Sequence, residues 1–112
     1  MLRSVRILGQ KVDVVIVEDL EVTTGSVTSG ANGAYSNTHN LIELDKGQSP
    51  ERMRVTLMHE CLHALLDAGG IDDLLNAHHD DLDEQVVGRL APLMFSWLRE
   101  NPTALAYLKG GD

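Results

Sequence analysis

Residues 49–70 read S-P-E-R-M-R-V-T-L-M-H-E-C-L-H-A-L-L-D-A-G-G, and this stretch decides the fold. Ser49 is a favoured helix-capping residue, and Pro50 suits the first helical position because an N–H there would have no partner within the helix. The glycines at 69 and 70 are typical of a helix end. The stretch therefore predicts one helix that begins near Pro50 and ends near Ala68.

The helical repeat divides this stretch into a broad apolar arc and one narrow polar seam. At about 100° per residue, the apolar arc contains Val55, Met58, Cys61, Leu62, Leu65 and Leu66. On the same projection, the polar seam contains Arg52, Thr56, His59, Glu60, His63 and Asp67. A helix with this pattern is mostly buried, so its polar seam faces inward or lines a cleft.

The seam carries the pattern His59-Glu60-Cys61-Leu62-His63, which is H-E-x-x-H. The two histidines lie one helical turn apart, so both imidazoles can face one cation, and zinc accepts imidazole nitrogens. Glu60 lies about 100° around the helix from His59, where it can reach a metal-bound water without ligating the metal. The pattern predicts that His59 and His63 bind Zn²⁺ and that Glu60 is the catalytic base. An ordinary amphipathic helix would carry more Lys and Glu on this seam.

A third metal ligand is expected on a second long helix, predicted from about Leu82 to Glu100. Glu84 shares an apolar strip of that helix with Val87 and Ala91. A carboxylate on such a strip is costly unless a cation or hydrogen bonds meet it, so Glu84 is the predicted ligand. The alternative is that Glu84 forms a capping box with Asp81. Other candidate ligands that stay open are Asp80, Asp83 and His79.

The first half of the chain predicts strands. Residues 4–8 alternate, residues 12–17 are rich in β-branched side chains, and residues 33–35 and 41–44 are two further candidates. The segments 23–26 and 29–33 have the composition of turns and loops. After the first long helix, residues 71–77 predict a helical turn, and a short helix follows Asn101-Pro102. Pro92 predicts a kink in the second long helix. The fold class is α+β, and residues 1–112 form a single domain.

Composition and charge exclude several function classes. The chain has 112 residues, with 9 Lys and Arg against 17 Asp and Glu, and a formal net charge of −8. Such an acidic chain is a poor partner for nucleic acid or an anionic membrane. The single cysteine, Cys61, has no partner for an internal disulfide, which favours a reducing compartment. No signal or transmembrane segment is evident, so we expect a cytoplasmic protein.

The stretch from Thr56 to Pro102 resembles the gluzincin metallopeptidases, specifically the minimal gluzincins and the ImmA/IrrE-like proteins of phages and bacteria. The residues that carry this resemblance are Thr56-Leu57-Met58-His59-Glu60, Asp83-Glu84-Gln85 and Leu90-Ala91-Pro92. The resemblance implies a small antiparallel sheet packed on the H-E-x-x-H helix and a second long helix, in a minimal zincin-like fold. It also implies that Glu84 is the third ligand and that Asn40–Leu44 is the edge strand beside the cleft. Cys61-Leu62 departs from the family, which often has a glycine before the second histidine.

The expected function is a zinc-dependent metalloendopeptidase that hydrolyses a peptide bond in a protein or peptide substrate. A metal-bound water, activated by Glu60, would attack the carbonyl. Tyr35 and Tyr107 are candidate donors to the oxyanion, and Asp67 is a candidate partner of an imidazole. The alternative is a zinc-containing regulatory or adaptor domain without proteolytic activity. A fourth protein ligand such as His79 would favour that alternative.

Overall fold

The computed structural model describes residues 2–24 and 27–111. Six strands precede four helices, which confirms the α+β class. The strands are β1 (Ser4–Ile7), β2 (Gln10–Val17), β3 (Glu21–Thr24), β4 (Val27–Gly30), β5 (Gly33–Ser36) and β6 (Leu41–Asp45). The helices are α1 (Pro50–Ala68), α2 (Ile71–Asn76), α3 (Leu82–Glu100) and α4 (Pro102–Leu108).

Four of the strands form a mixed sheet in the order β1-β2-β6-β5. The pairs β1–β2 and β5–β6 are antiparallel, but β2 and β6 are parallel, with Asp13 opposite Leu41 and Val17 opposite Asp45. The expected wholly antiparallel sheet is therefore wrong in this one pairing. A parallel pair needs a long crossover, and the segment between β2 and β6 supplies it by carrying β3, β4 and β5.

The edge strand beside the helices is β5, so the expectation that residues 40–44 form the edge is wrong. β6 lies between β2 and β5, and its Ile42 and Leu44 are fully buried. A strand that buries such side chains is a central strand, whereas β5 pairs on one side only. The outer edge of β5 is consequently free of partners in this sheet.

Strands β3 and β4 pair as a separate two-stranded antiparallel sheet, where sequence composition predicted loops. Part of the predicted turn, at residues 25–26, lies outside the described residues. Val22 of this small sheet reaches the cleft described below. The small sheet therefore contributes to the site although it is not part of the main sheet.

Helix α1 lies between the sheet and α3, which explains its broad apolar arc. On one side, Ala64 packs against the sheet core of Val12, Val14, Ile42 and Leu44. On the other side, Leu62 packs with Val87 and Ala91 of α3. These contacts hold α1 and α3 in an orientation that places the polar seam of α1 next to the first turn of α3.

The predicted ends of α1 are confirmed. The Ser49 hydroxyl accepts a hydrogen bond from the Arg52 N–H, and Pro50 is the first helical residue. At the other end, Gly70 takes a positive φ of 72°, which suits glycine and stops the helix. Helix α3 spans Leu82–Glu100 and runs on through Pro92. None of the helices in the described part of the chain is both long and apolar enough to span a membrane.

Candidate metal centre

The two histidines of the seam face the same point in space. His59 and His63 lie one turn apart on α1, and their Nε2 atoms are 3.3 Å apart. Their ring centroids are 5.0 Å apart, with the planes tilted by 60°. The spacing of four residues therefore brings the two Nε2 atoms together, as the helical repeat predicts.

Glu84 reaches the same point from the first turn of α3. Its Oε1 lies 3.0 Å from His59 Nε2, and its Oε2 lies 2.6 Å from His63 Nε2. Packing of Val87 and Ala91 against α1 places Glu84 here, because the three residues share one face of α3. The donor atoms of His59, His63 and Glu84 all lie within 4.8 Å of one another.

This donor set fits a tetrahedral zinc ion. Two nitrogens bound at about 2.0–2.1 Å and at a tetrahedral angle lie about 3.3 Å apart, and the two Nε2 atoms are 3.3 Å apart. The two Glu84 distances are shorter, 3.0 Å to His59 Nε2 and 2.6 Å to His63 Nε2, so the imidazole pair matches the tetrahedral spacing most closely. Two imidazoles and one carboxylate also match the ligand types of catalytic zinc sites, which leave one position open.

The other candidate ligands are not brought into this group. Asp80 is exposed, and its backbone carbonyl lies 2.7 Å from Nδ1 of the His79 ring. The Asp83 carboxylate lies on the far side of His63, 4.0 Å from Nδ1. Asp81 precedes α3 without a side-chain capping bond, so the alternative capping box with Glu84 is not formed. Within residues 2–24 and 27–111, the metal-type group is His59, His63 and Glu84.

Glu60 is buried beside the histidines, with only 7% of its surface exposed. Burial first, and the nearby charge of Glu84 second, together raise the pKa of its carboxyl to about 7. A carboxyl with a pKa near neutrality can both accept and return a proton at physiological pH. The position matches the base that the sequence predicts.

Gly33 of β5 makes room for Glu60 and was missed by sequence reasoning. A Cβ on Gly33 would lie 2.7 Å from Thr56 Cγ2 and 3.1 Å from Glu60 Oε2. One feature of the sequence could have indicated this contact: Gly33 is a glycine within a short strand, and such a glycine often lies where another group approaches the backbone closely. The edge strand can therefore lie directly against the seam of α1 only with glycine at this position.

The half-buried side-chain amide of Gln48 connects β5 and β6 to α1, and sequence reasoning also missed it. The Thr56 hydroxyl donates to Gln48 Oε1 at 2.6 Å. Gln48 Nε2 donates to the carbonyls of Asn32 and Asp45, each at 2.9 Å. These bonds connect the turn of α1 that precedes His59 to the residue before β5 and to the end of β6.

The site opens into a cleft with two hollows that meet at Glu60 and Glu84. We call the first the acidic hollow; it measures about 530 Å³ and includes Tyr35, Asp67, Asp72 and Asp83. We call the second the Arg52 hollow; it measures about 500 Å³ and includes Arg52, Val55, His59 and Pro92. Gly33 lines both hollows, so strand β5 runs along the cleft.

Other residues singled out in the sequence take different positions. Tyr35 lines the acidic hollow, and its hydroxyl donates to Asp67 Oδ2 at 3.2 Å. The sequence made Asp67 a candidate hydrogen-bond partner of an imidazole. In the structure, the partner of Asp67 is the Tyr35 hydroxyl instead. Tyr107 is exposed on α4 and lines neither hollow. Burial raises the pKa of the Cys61 thiol to about 11, which suits a packing role against the sheet core.

The chain is similar to two curated metalloproteases over about half of its length. Over 63 residues it is 44% identical to the radiation response metalloprotease IrrE of Deinococcus deserti, covering 53% of this chain and 22% of that protein. It is 43% identical over 63 residues to the protein of the same name from Deinococcus radiodurans, covering 53% and 19%. The chain spans about a fifth of the length of these curated relatives. No solved structure matches significantly.

A family model matches most of the chain, including every residue of the candidate centre. The model describes the IrrE N-terminal-like domain, and its match runs over residues 10–91. That range contains the strands from β2 onward, all of α1 and the first half of α3. The chain belongs to the Peptidase M78 family, the IrrE N-terminal-like domain family of metallopeptidases.

Proposed function

We propose that this chain is a zinc-dependent peptidase domain in which His59, His63 and Glu84 bind the metal and Glu60 is the general base. The observation that carries this proposal is the meeting of the three donor groups beside the buried Glu60. The family supplies metallopeptidase chemistry. The two imidazoles and one carboxylate favour zinc within it. We further propose that residues 1–112 work as one minimal zincin-like domain.

The ion and the protein have separate tasks in this proposal. When bound, zinc supplies a Lewis acid that polarises the scissile carbonyl and acidifies water at its open position. Glu60 accepts the proton of the attacking water and then delivers it to the leaving amine. Its position supports this task, because Glu60 is buried beside the three donor groups, and a general base must lie within reach of the proton that it takes.

The substrate would be an extended peptide lying along β5. That strand has one partner, β6, and its other edge faces the cleft. A peptide can add to a free strand edge by backbone hydrogen bonds, which requires no particular side chain. The absence of a Cβ on Gly33 keeps the strand close to Glu60, so the bound backbone would pass the base and the metal together.

The remaining parts of the proposal concern location and partners. The lone thiol of Cys61 and its burial suit a reducing compartment, and we propose a cytoplasmic location on that basis. The net charge of −8 makes nucleic acid an unsuitable substrate. A protein or peptide substrate follows from the peptidase family.

The test compares zinc content and cleavage in the wild type and in Glu60→Gln. The zinc-loaded chain is incubated with a complex peptide mixture, and new termini are identified by mass spectrometry. The proposal predicts new termini with the wild type and none with Glu60→Gln, although both bind one zinc per chain. Equal cleavage by both proteins would contradict the role of Glu60. Zinc binding with no cleavage by either protein would support the regulatory or adaptor alternative.

A further inference from the structure

Arg52 lies at one end of the cleft and has no partner for its charge among the described residues. It is two helical turns before His59 on the seam of α1, it is exposed, and it lines the Arg52 hollow. Its backbone N–H donates to the Ser49 hydroxyl, but its guanidinium has no hydrogen bond or ion pair to any residue that the structure describes. Among those residues, no other lysine or arginine lines either hollow.

The carboxylate next to Arg52 in the sequence already pairs with two other arginines. Glu51 Oε1 accepts a hydrogen bond from Arg99 Nη2 at 2.9 Å and lies 3.7 Å from Arg54 Nη1. Neither Arg54 nor Arg99 lines the Arg52 hollow or the acidic hollow. The cation of this region that borders the cleft is therefore the one that lacks a counter-charge.

The carboxylates of the Arg52 hollow do not neutralise Arg52 once the metal is bound. They are Glu60 and Glu84, the proposed base and a proposed ligand, and together they match the double charge of a zinc ion. The positive charge of Arg52 is then left over. Val55 and Pro92 give this hollow apolar walls, and an apolar surrounding strengthens the attraction between opposite charges.

The direction of β5 indicates which part of a peptide would lie near Arg52. Strand β5 runs in the same direction as α1: Gln48, just before α1, bonds to Asn32, whereas Asp67, near the end of α1, bonds to Tyr35. Antiparallel pairing is the more stable kind, so we expect a peptide on the free edge of β5 to run antiparallel to it. The residues that follow the scissile bond would then lie toward Arg52, and those that precede it toward the acidic hollow.

We propose that Arg52 binds a carboxylate of the substrate, on the side that follows the scissile bond. This assignment rests on the proposed function, because it takes the same cleft as the substrate site. Arg52 and His59 are seven positions apart, which is about 10 Å along a helix and about three residues of an extended peptide. A guanidinium offers paired N–H donors that match a carboxylate. The carboxylate belongs to an Asp or Glu side chain or to a free C-terminus.

The first experiment maps the preference without assuming a substrate. A cell extract is digested with a protease that cuts after lysine and arginine, so that Asp and Glu remain inside the peptides, and the zinc-loaded chain then cleaves this mixture. Enrichment of Asp and Glu within about three residues after the cut would assign the side-chain carboxylate. Cuts at a fixed, equally short distance from the C-terminus would assign the free C-terminus. Cleavage with neither pattern, or with acidic residues enriched before the cut, would overturn the inference but leave the proposed function intact.

The second experiment uses Arg52→Gln with Arg54→Gln as its matched control. Both arginines are exposed near the start of α1, but Arg54 lines neither hollow. Each protein is assayed on two pairs of synthetic peptides, one with glutamate against glutamine at the enriched position and one with a free against an amidated C-terminus. We expect Arg52→Gln to lower the carboxylate-to-amide ratio of kcat/KM by about fivefold in one pair, the upper range for an exposed ion pair. Unchanged ratios in both pairs, or an equal change in the control, would overturn the inference.

Peptide binding separates this inference from a failure of catalysis. The zinc-loaded Glu60→Gln chain is titrated with fluorescent peptides that carry several glutamates or a free C-terminus, and with their amide counterparts, and anisotropy gives the Kd. A carboxylate peptide should bind more tightly than its amide, and its advantage should shrink at about 1 M salt, where the Debye length is about 3 Å. Adding Arg52→Gln should remove this advantage; an advantage that survives would belong to the metal and would overturn the inference. Equal affinities, or no binding of any peptide, would overturn it even if no peptide is ever cleaved.

Discussion

Glu60 of α1 lies against Gly33 of the edge strand so closely that a Cβ at position 33 would be 3.1 Å from Glu60 Oε2. The same Cβ would be 2.7 Å from Thr56 Cγ2. Thr56 cannot easily move, because its hydroxyl donates to Gln48 and its side chain is buried. The backbone of β5 and the base of the proposed reaction are therefore held in contact by the absence of one side chain.

Gly33→Ala should lower both stability and turnover. Overpacking of a close contact costs about 1–3 kcal/mol, and movement of Glu60 or of β5 would misalign the base. Urea unfolding gives the first quantity and kcat the second, with zinc content as a check on the metal site. Gly88→Ala is the control: its Cβ would meet nothing within 4 Å, and it lies within α3, so it should stabilise the chain.

Thr56→Ser should partly rescue Gly33→Ala. Serine keeps the hydroxyl that donates to Gln48 but lacks the Cγ2 that the new Cβ would strike. The double variant should recover stability relative to Gly33→Ala alone, as measured by urea unfolding. If the double variant is less stable than the sum of the two single changes predicts, the proposed steric cause is wrong.

The metal-free chain should lose stability as the pH rises from about 4.5 to about 7. Glu60 has an ordinary pKa of 4.5 when unfolded and about 7 when folded. Between these values the folded state keeps a proton that the unfolded state has released, so a rising pH favours unfolding. The loss is at most about 3 kcal/mol for this shift.

Glu60→Gln isolates this contribution, because the two proteins share every other titratable group. Urea unfolding in the presence of a chelator should give a wild-type stability that falls relative to Glu60→Gln as the pH rises from 4.5 to 7. A difference between the two proteins that does not change with pH would show that Glu60 titrates normally.

Glu84→Ala should weaken zinc binding more than any other carboxylate change near the site. Removing a side chain that only hydrogen-bonds to a metal ligand lowers metal affinity about 10–100-fold. Removing a residue that binds the metal directly should lower the affinity by more than this. The affinity is measured by competition with a coloured chelator. Asp80→Ala is the control, because Asp80 is exposed and outside the group. Similar losses in the two variants would remove Glu84 from the ligand set.

The helices and the histidine pair were predictable because their signals are local. Ser49, Pro50 and the glycines after Ala68 mark the ends of α1, and the repeat of α1 places His59 and His63 together. The position of Glu84 beside the histidines was predictable from the strip that it shares with Val87 and Ala91. The predicted cost of burying its carboxylate is not borne out, because the Glu84 side chain is 58% exposed. Each of these inferences depends on residues within a few turns of one another.

The sheet order and the neighbours of Glu60 were not predictable, because they depend on contacts between distant segments. Nothing local in residues 41–45 distinguishes a central strand from an edge strand, yet β6 pairs with both β2 and β5. The contact of Gly33 with Glu60 spans 27 positions, and the Tyr35–Asp67 bond spans 32. A single sequence carries no signal for such pairs apart from the glycine itself.

The most direct test of the metal centre is anomalous X-ray diffraction at the zinc edge from crystals grown with zinc. A single peak should lie about 2.0–2.1 Å from Nε2 of His59, Nε2 of His63 and one carboxylate oxygen of Glu84. A zinc peak bound elsewhere, or bound by the two histidines with Glu84 turned away, would contradict the account.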